Sequence, residues 1–469
     1  MERTKRMKHQ LVPVLLIGLV ACGPRAAPLP APSPPPAPER PARAADTART
    51  DTVRAATPRT ATIPTDTLRA DTARTDTART GTVRRESARA DPPRAPRART
   101  APTARPPRLT ARIDTLPVRA LRAPLRVCAG GDVTLGTNLD TAWSRLASRR
   151  LRTRFGQPDD PTTLLTPLRP LVADAEIVLL NVESAIGRGP TATKCGPRSR
   201  NCFAFRAPPA SAPALRALHR NGTVIGNVAN NHARDAGSPG RDSTIAALRR
   251  AGVVVTGADT LATPVLTAAG DTIGVLGFYT SDSTPDARDT AAVRRHVARA
   301  AARYRAVIVT MHLGAEGRGA QRTIDAPERF LGLDRGNPVA FADAAVRGGA
   351  ALVVGHGPHV MRAVEWRERG ALIAYSLGNL LTYGPFRMRE PANRGAVLCA
   401  TLDELGRPRD AELRSTLQLA PGVLRSDPSA RAAVIVDSLG RLDFPATGAR
   451  VGSEGRLEPR RLETSSTSP

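Results

Sequence analysis

From residue 125 onward the chain alternates short apolar runs with longer amphipathic stretches. The runs are Leu125–Ala129, Ile177–Leu180, Thr223–Val228, Val253–Thr256, Thr272–Phe278, Ala306–Met311, Ala351–Val354, Ala371–Leu377 and Ala396–Leu402. Most are continuous and rich in Val, Ile and Leu, the pattern of strands buried on both faces. Between them the apolar spacing predicts helices over Thr163–Ala173, Ala212–Arg220, Ser243–Ala251, Thr290–Tyr304 and Pro338–Arg347. Three of these end at Gly222, Gly252 and Gly348, and glycine accepts the left-handed conformation that closes a helix. The alternation predicts an α/β fold with helices covering a sheet. No helical stretch separates the last two strands, so part of the sheet is expected to be antiparallel.

The polar residues that end these runs carry the chemistry. Asp132 follows LRVCAGG, and Glu183 follows EIVLLNV. His232 follows TVIGNVAN, His312 follows AVIVTM, and His356 and His359 follow ALVV in GHGPH. In an open α/β sheet, residues just past the carboxyl ends of strands meet in one crevice. Imidazoles and carboxylates gathered there are metal-ligand or acid–base material. The two glycines before Asp132 are read as a sharp turn. Asn181 and Glu183 share one side of an extended run. Asn230, Asn231 and Asp235 surround His232, a group that can shuttle protons near neutral pH. Glu316 lies four residues after His312, so a helical turn there puts both on one face and lets Glu316 orient the imidazole. Asn379 closes the Tyr375–Asn379 stretch in the same way.

Composition shortens the folded part. Residues 24–125 hold no aromatic and almost no large apolar side chain, so they cannot bury enough surface to offset the entropy of ordering. Asp-Thr-(Ala/Val/Leu)-Arg recurs at 46–49, 51–54, 66–69, 71–74 and 76–79, with proline clusters on either side. We read a disordered spacer over 22–125, a domain over 126–445, and a disordered tail over 446–469. The net charge of +27 does not imply nucleic-acid binding. It rests on Arg and divides between spacer and domain, with no basic stripe interleaved by stacking aromatics. A solvated basic surface or an anionic-polymer partner fits it better than specific nucleic-acid binding.

The amino terminus sets an address. Arg3, Lys5, Arg6 and Lys8 precede the apolar Leu11–Val20, which is too short to span a ~30 Å hydrocarbon core but suits a secretory signal over 1–21. Leu19-Val20-Ala21-Cys22 resembles a bacterial lipobox, which implies lipidation of Cys22 and a protein held outside the cytoplasm on a bacterial membrane. In an oxidising compartment the remaining cysteines are expected to pair. Cys195 and Cys202 flank a short segment and are the favoured pair; Cys128 and Cys399 pair if their strands are neighbours.

Six motifs, in order, resemble the CapA family of capsule (poly-γ-glutamate) synthesis proteins with a metallophosphatase-like domain. They read GGDVTLG at 130–136, NVESAI at 181–186, ANNHARDAG at 229–237, TMHLGAE at 310–316, VVGHGPHV at 353–360 and IAYSLGN at 373–379. The resemblance implies a four-layer α/β/β/α sandwich of metallophosphoesterase type. It implies Asp132, Glu183, Asn231, His312, His356 and His359 as metal ligands, and His232 as proton donor to the leaving group. Asn181, Asn230, Asp235, Glu316 and Asn379 fall to supporting or substrate-facing places. One or two divalent cations are implied, whether Mn, Zn, Fe or Mg. Two features depart from ordinary metallophosphoesterases: Thr134 stands where a histidine is usual, and two residues rather than one separate His356 from His359.

Three functions fit these residues. The first is a lipid-anchored, metal-dependent hydrolase or transferase in the synthesis, export or anchoring of an anionic capsule polymer. The second is a non-catalytic polymer-binding assembly factor beside membrane-bound capsule synthase subunits. The third is a cell-wall-binding lipoprotein.

Overall fold

The computed structural model describes residues 119–138, 141–187, 203–281, 286–367, 370–384, 386–452 and 454–460. The expected leader, the lipidation site Cys22, nearly all of the spacer and the Cys195–Cys202 pair lie outside the described residues. Among the described residues no helix is long and apolar enough to cross a membrane.

The apolar runs become strands of two facing sheets. In the first, Leu125–Thr134, Ile177–Val182, Thr223–Asn227 and Val254–Thr256 run parallel. On the other flank of Leu125–Thr134 the sheet continues antiparallel through Arg394–Leu402, Pro408–Leu419, Arg456–Glu458 and Arg450–Val451. The expected antiparallel part is therefore present. In the second sheet Thr272–Tyr279, Val307–His312, Leu352–His356 and Leu372–Ala374 are parallel. Thr263–Leu266 and Val364–Trp366 form its antiparallel edges.

Side-chain alternation along each strand builds the layers. Val127, Ala129, Leu179 and Ile225 point inward and meet Val275, Ile308, Val354 and Leu372 of the second sheet. Cys128, Val178, Leu180 and Val224 point outward and are covered by Leu151, Leu168, Leu215 and Leu248. The outer face of the second sheet, with Phe278, Val309 and Val353, is covered by Val293, Val297, Phe341 and Ala345. These three cores separate helix, sheet, sheet and helix, so the chain is a four-layer α/β/β/α sandwich. Cys128 and Cys399 are register partners and form a disulfide across the first sheet.

Several expectations are corrected. The pair Gly130-Gly131 does not turn the chain; both residues lie inside Leu125–Thr134. Their role is close approach, since a Cβ on Gly131 would sit 2.1 Å from the carbonyl oxygen of Gly378. The helix predicted over 163–173 divides into Pro161–Leu165 and a 3-10 segment Thr166–Val172. Gly349 (φ +106°), not Gly348, takes the left-handed cap after Pro338–Gly348. Gly252 does adopt positive φ, whereas Gly222 does not. The domain also extends beyond both expected bounds. Leu121 is buried in the inter-sheet core, and residues 450–458 contribute two strands.

Candidate metal centre

The carboxyl ends of the parallel strands place two polar rows opposite each other. Asp132, Asn181 and Asn227 are in register in the first sheet, and Tyr279, His312 and His356 in the second. Asn181 links the rows. Its amide nitrogen donates to Asp132 Oδ1 at 2.8 Å and lies 3.1 Å from His312 Nδ1. Its oxygen accepts from Asn227 (3.0 Å) and Asn230 (3.1 Å).

The histidines gather around the acids. His356 Nδ1 lies 3.7 Å and His312 Nδ1 4.0 Å from Asp132 Oδ1, and His359 Nδ1 lies 2.9 Å from Asp132 Oδ2. Glu183 is held just past its strand by its own backbone N–H donating to Val133 O. Its Oε1 is 3.6 Å from His312 Nε2 and 3.7 Å from His359 Nε2. His359 reaches inward because its backbone is left-handed (φ +57°) after the Gly357-Pro358 turn.

Ligand atoms of Asp132, Glu183 and His312 lie within 4.8 Å of one another, on side chains that are fully buried. Glu183 Oε1, His312 Nε2 and both ring nitrogens of His356 are buried without a hydrogen-bond partner. Each such atom costs about 1–3 kcal/mol. Four of them on three adjacent residues fit a divalent cation, which hard carboxylate and borderline imidazole donors suit.

Charge follows the same layout. Burial opposes the charge on Asp132, but the adjacent His359 and the other imidazoles hold its carboxyl below the usual range. Burial, and then the charge of Asp132, push Glu183 well above it. Burial lowers His312 well below its ordinary value and His356 to about 4, so both imidazoles are neutral, the form that ligates. Burial would lower His359 too, yet Glu183, Asp132 and Glu316 raise it to about 10.

His232 lies on the turn after Thr223–Asn227 and is tied to the cluster through Asn230 and Asn181. Its Nδ1 is 2.5 Å from Asp235 Oδ2, which also accepts from the Phe205 N–H at 2.6 Å. Asn231 stands half-buried between Asn230 and His232. Asn379 donates to the carbonyl of His359 at 3.1 Å, so it braces the turn that carries that imidazole.

The expected Glu316–His312 pairing is not formed. Residues 313–316 are a loop with Gly314 at φ +96°, so the two side chains do not share a helical face. Glu316 lies 3.7 Å from His359 Nε2 and pairs instead with Arg335 at 3.0 Å.

Other residues of the site escaped sequence reasoning. Arg335, Asn227 and Tyr279 all face the cluster or its supports. A bidentate Arg362–Glu328 pair (2.8 and 2.7 Å) pins the loop after His312. Four aromatic rings, Trp143, Phe203, Phe205 and Phe386, contact one another at 5.2–6.1 Å, and Phe205 lies 4.5 Å from the His232 ring. Asn227 alone left a signal, as a polar residue inside an apolar run.

A family profile described as "Bacterial capsule synthesis protein PGA_cap" matches residues 126–383. No curated protein sequence matches the chain significantly. Among solved structures the chain is similar to the 5'-nucleotidase precursor from Thermus thermophilus, at 13% identity and a TM-score of 0.32. That match covers 69% of this chain and 59% of the other, so the chain spans less than two thirds of that protein's length.

Proposed function

The chain belongs to the bacterial capsule synthesis protein family, and we propose that it is a metal-dependent hydrolase or transferase acting on an anionic capsule polymer of poly-γ-glutamate type, or on its phosphorylated or amide-linked precursor. The lipobox-like Leu19–Cys22 and the basic residues before it support anchorage outside the cytoplasm. The reading rests on one observation: the buried side chains of Asp132, Glu183, His312 and His356 meet in one cluster, and four ligand-type atoms of Glu183, His312 and His356 lack hydrogen-bond partners.

In this reading Asp132, Glu183, His312, His356 and His359 hold one or two divalent cations. A bound cation supplies Lewis acidity and a water of lowered pKa. The protein's own groups do the rest. Asp132 and Asn181 fix the imidazoles opposite, and Asn379 and the Pro358 turn fix His359. Asp235 engages His232 Nδ1. The other ring nitrogen, Nε2, is then the one that exchanges a proton with a leaving group. The aromatic rings beside His232 exclude water from that side.

Elemental analysis of the purified protein tests the reading. We expect stoichiometric uptake of a divalent cation, with uptake by His356→Ala reduced by about tenfold or more. A protein that takes up no metal under any loading condition removes the basis for catalysis here.

A further inference from the structure

The helix Thr141–Phe155 carries five arginines and no acidic residue. Among the described residues none of the five forms an ion pair. Elsewhere the chain pairs its arginines: Arg126, Arg362, Arg394 and Arg414 each meet a carboxylate within 3.1 Å. Asp159, just past the helix, is engaged by the hydroxyls of Ser148 and Tyr383 instead. Spacing makes a row of three. Arg145, Arg149 and Arg152 are four and three residues apart, so they share one face over about 10 Å. All three are exposed, and with Ser144 and Ser148 they line an open groove of about 450 Å³. Like charges so placed repel one another, and the core does not require them, because Ala147 and Leu151 supply the buried side of the helix. The row also begins beside the site. Trp143, on the same helix, contacts Phe203 at 5.7 Å and Phe386 at 5.2 Å. Phe205, in that aromatic cluster, lies 4.5 Å from the His232 ring.

We infer that the Arg145–Arg149–Arg152 face is a docking track for a flexible polycarboxylate chain, which it holds beside His232. The inference rests on the reading above, because it takes the polymer itself as the partner. Unpaired charges of one sign select a partner of the other. A chain with a carboxylate on every repeat can meet each guanidinium in turn, and linkage makes the separate contacts reinforce one another. The aromatic rings beyond Trp143 offer apolar surface to the methylenes between the carboxylates. A membrane surface suits this face less well. Helices that lie on a bilayer set apolar side chains beside their basic ones, to enter the acyl boundary. Here Ser144 and Ser148 flank the row, and the apolar residues face the protein core.

The test is isothermal titration of the full-length protein with poly-γ-glutamate, with monomeric glutamate and with phosphatidylglycerol vesicles. Wild type is expected to bind the polymer more tightly per glutamate than the monomer, which cannot reach along the row, and to lose affinity as salt rises. Replacing Arg145, Arg149 and Arg152 together by Gln should weaken the polymer by about tenfold or more and flatten the salt dependence. Arg149→Gln alone should give a smaller loss, and it carries the test if the triple variant does not fold. Replacing Arg294, Arg295 and Arg299 by Gln removes the same charge from another exposed helix, Thr290–Ala301, and should cost less than about threefold. Equal losses in the two triple variants would mean diffuse attraction by net charge and overturn the inference. So would polymer affinity that matches the monomer per glutamate, or a first triple variant that loses vesicles and keeps the polymer. Metal content, measured on the same preparations, separates this inference from the reading it rests on. Wild type that holds metal but ignores the polymer sinks the track alone; wild type that binds the polymer through the row but takes up no metal sinks the metal reading alone.

Discussion

Asn181 shows how one neutral side chain organises a charged site. It donates to Asp132, approaches His312, and accepts from Asn227 and Asn230, so every polar atom of its amide is engaged while fully buried. Truncating it leaves partners on both sheets unsatisfied. We expect Asn181→Ala to cost about 1–3 kcal/mol in chemical denaturation. We also expect metal affinity to fall by roughly 10–100-fold, as when the support of a ligand is removed elsewhere. A variant with wild-type metal affinity would show that the imidazoles are positioned by packing alone. Such roles explain which residues could be read in the sequence. Asp132, Glu183, His312 and His356 announce themselves because each ends an apolar run. Arg335 and Arg362 do not, because an arginine in an arginine-rich chain carries no signal until its partner is known.

The loop Leu313–Ala320 carries Glu316 between the two sheets' site rows, and it has no regular structure to hold it. Glu328 supplies the brace. It accepts from the Ala315 N–H at 2.6 Å and pairs with Arg362, which also donates to Ala320 O at 2.7 Å. Both charged groups are nearly buried, at 1% and 9% side-chain exposure. Removing one leaves the other uncompensated, so Glu328→Gln should destabilise the protein by about 3–5 kcal/mol, read from its denaturation midpoint. A shift below about 1 kcal/mol would show that water reaches Arg362 and the loop is held otherwise. This element was invisible from the sequence, since its ends are 34 residues apart. The strands were the opposite case. Continuous Val, Ile and Leu runs are local signals, and all nine were located. Pro408–Leu419 carries no such signal because it alternates buried and half-buried positions, with Asp410, Glu412 and Arg414 on one face. The helix Thr141–Phe155 was missed because arginines fill much of its length.

At the scale of the whole domain, the site sits at one end of the parallel strands, and the carboxyl-terminal segment joins the sheets near the other end. Thr447 and Ala449 exchange backbone hydrogen bonds with Trp366 and Val364 of the second sheet, each at 2.8 Å. Leu457 then pairs with Ala411 of the first sheet, whose own partner across the ladder is Ala400. Ala449 and Leu457 are both buried in the inter-sheet core. The polar residues after 445 resemble a frayed tail, so the sequence alone places the domain's end there. Here tertiary pairing overrides composition, as short edge strands allow. Ending the chain at 445 should therefore expose the edge of Pro408–Leu419 and remove Ala449 and Leu457 from the core, a loss of roughly 3 kcal/mol or more from apolar burial and unmade hydrogen bonds. The proposed metal ligands lie at the opposite strand ends, so the fraction that remains folded should bind metal with the wild-type stoichiometry. Thermal melting and elemental analysis of the same preparation separate the two effects. A truncated chain that melts with the full-length protein would mean that the sheets are held together by Arg431–Asp443 and the central core without this segment.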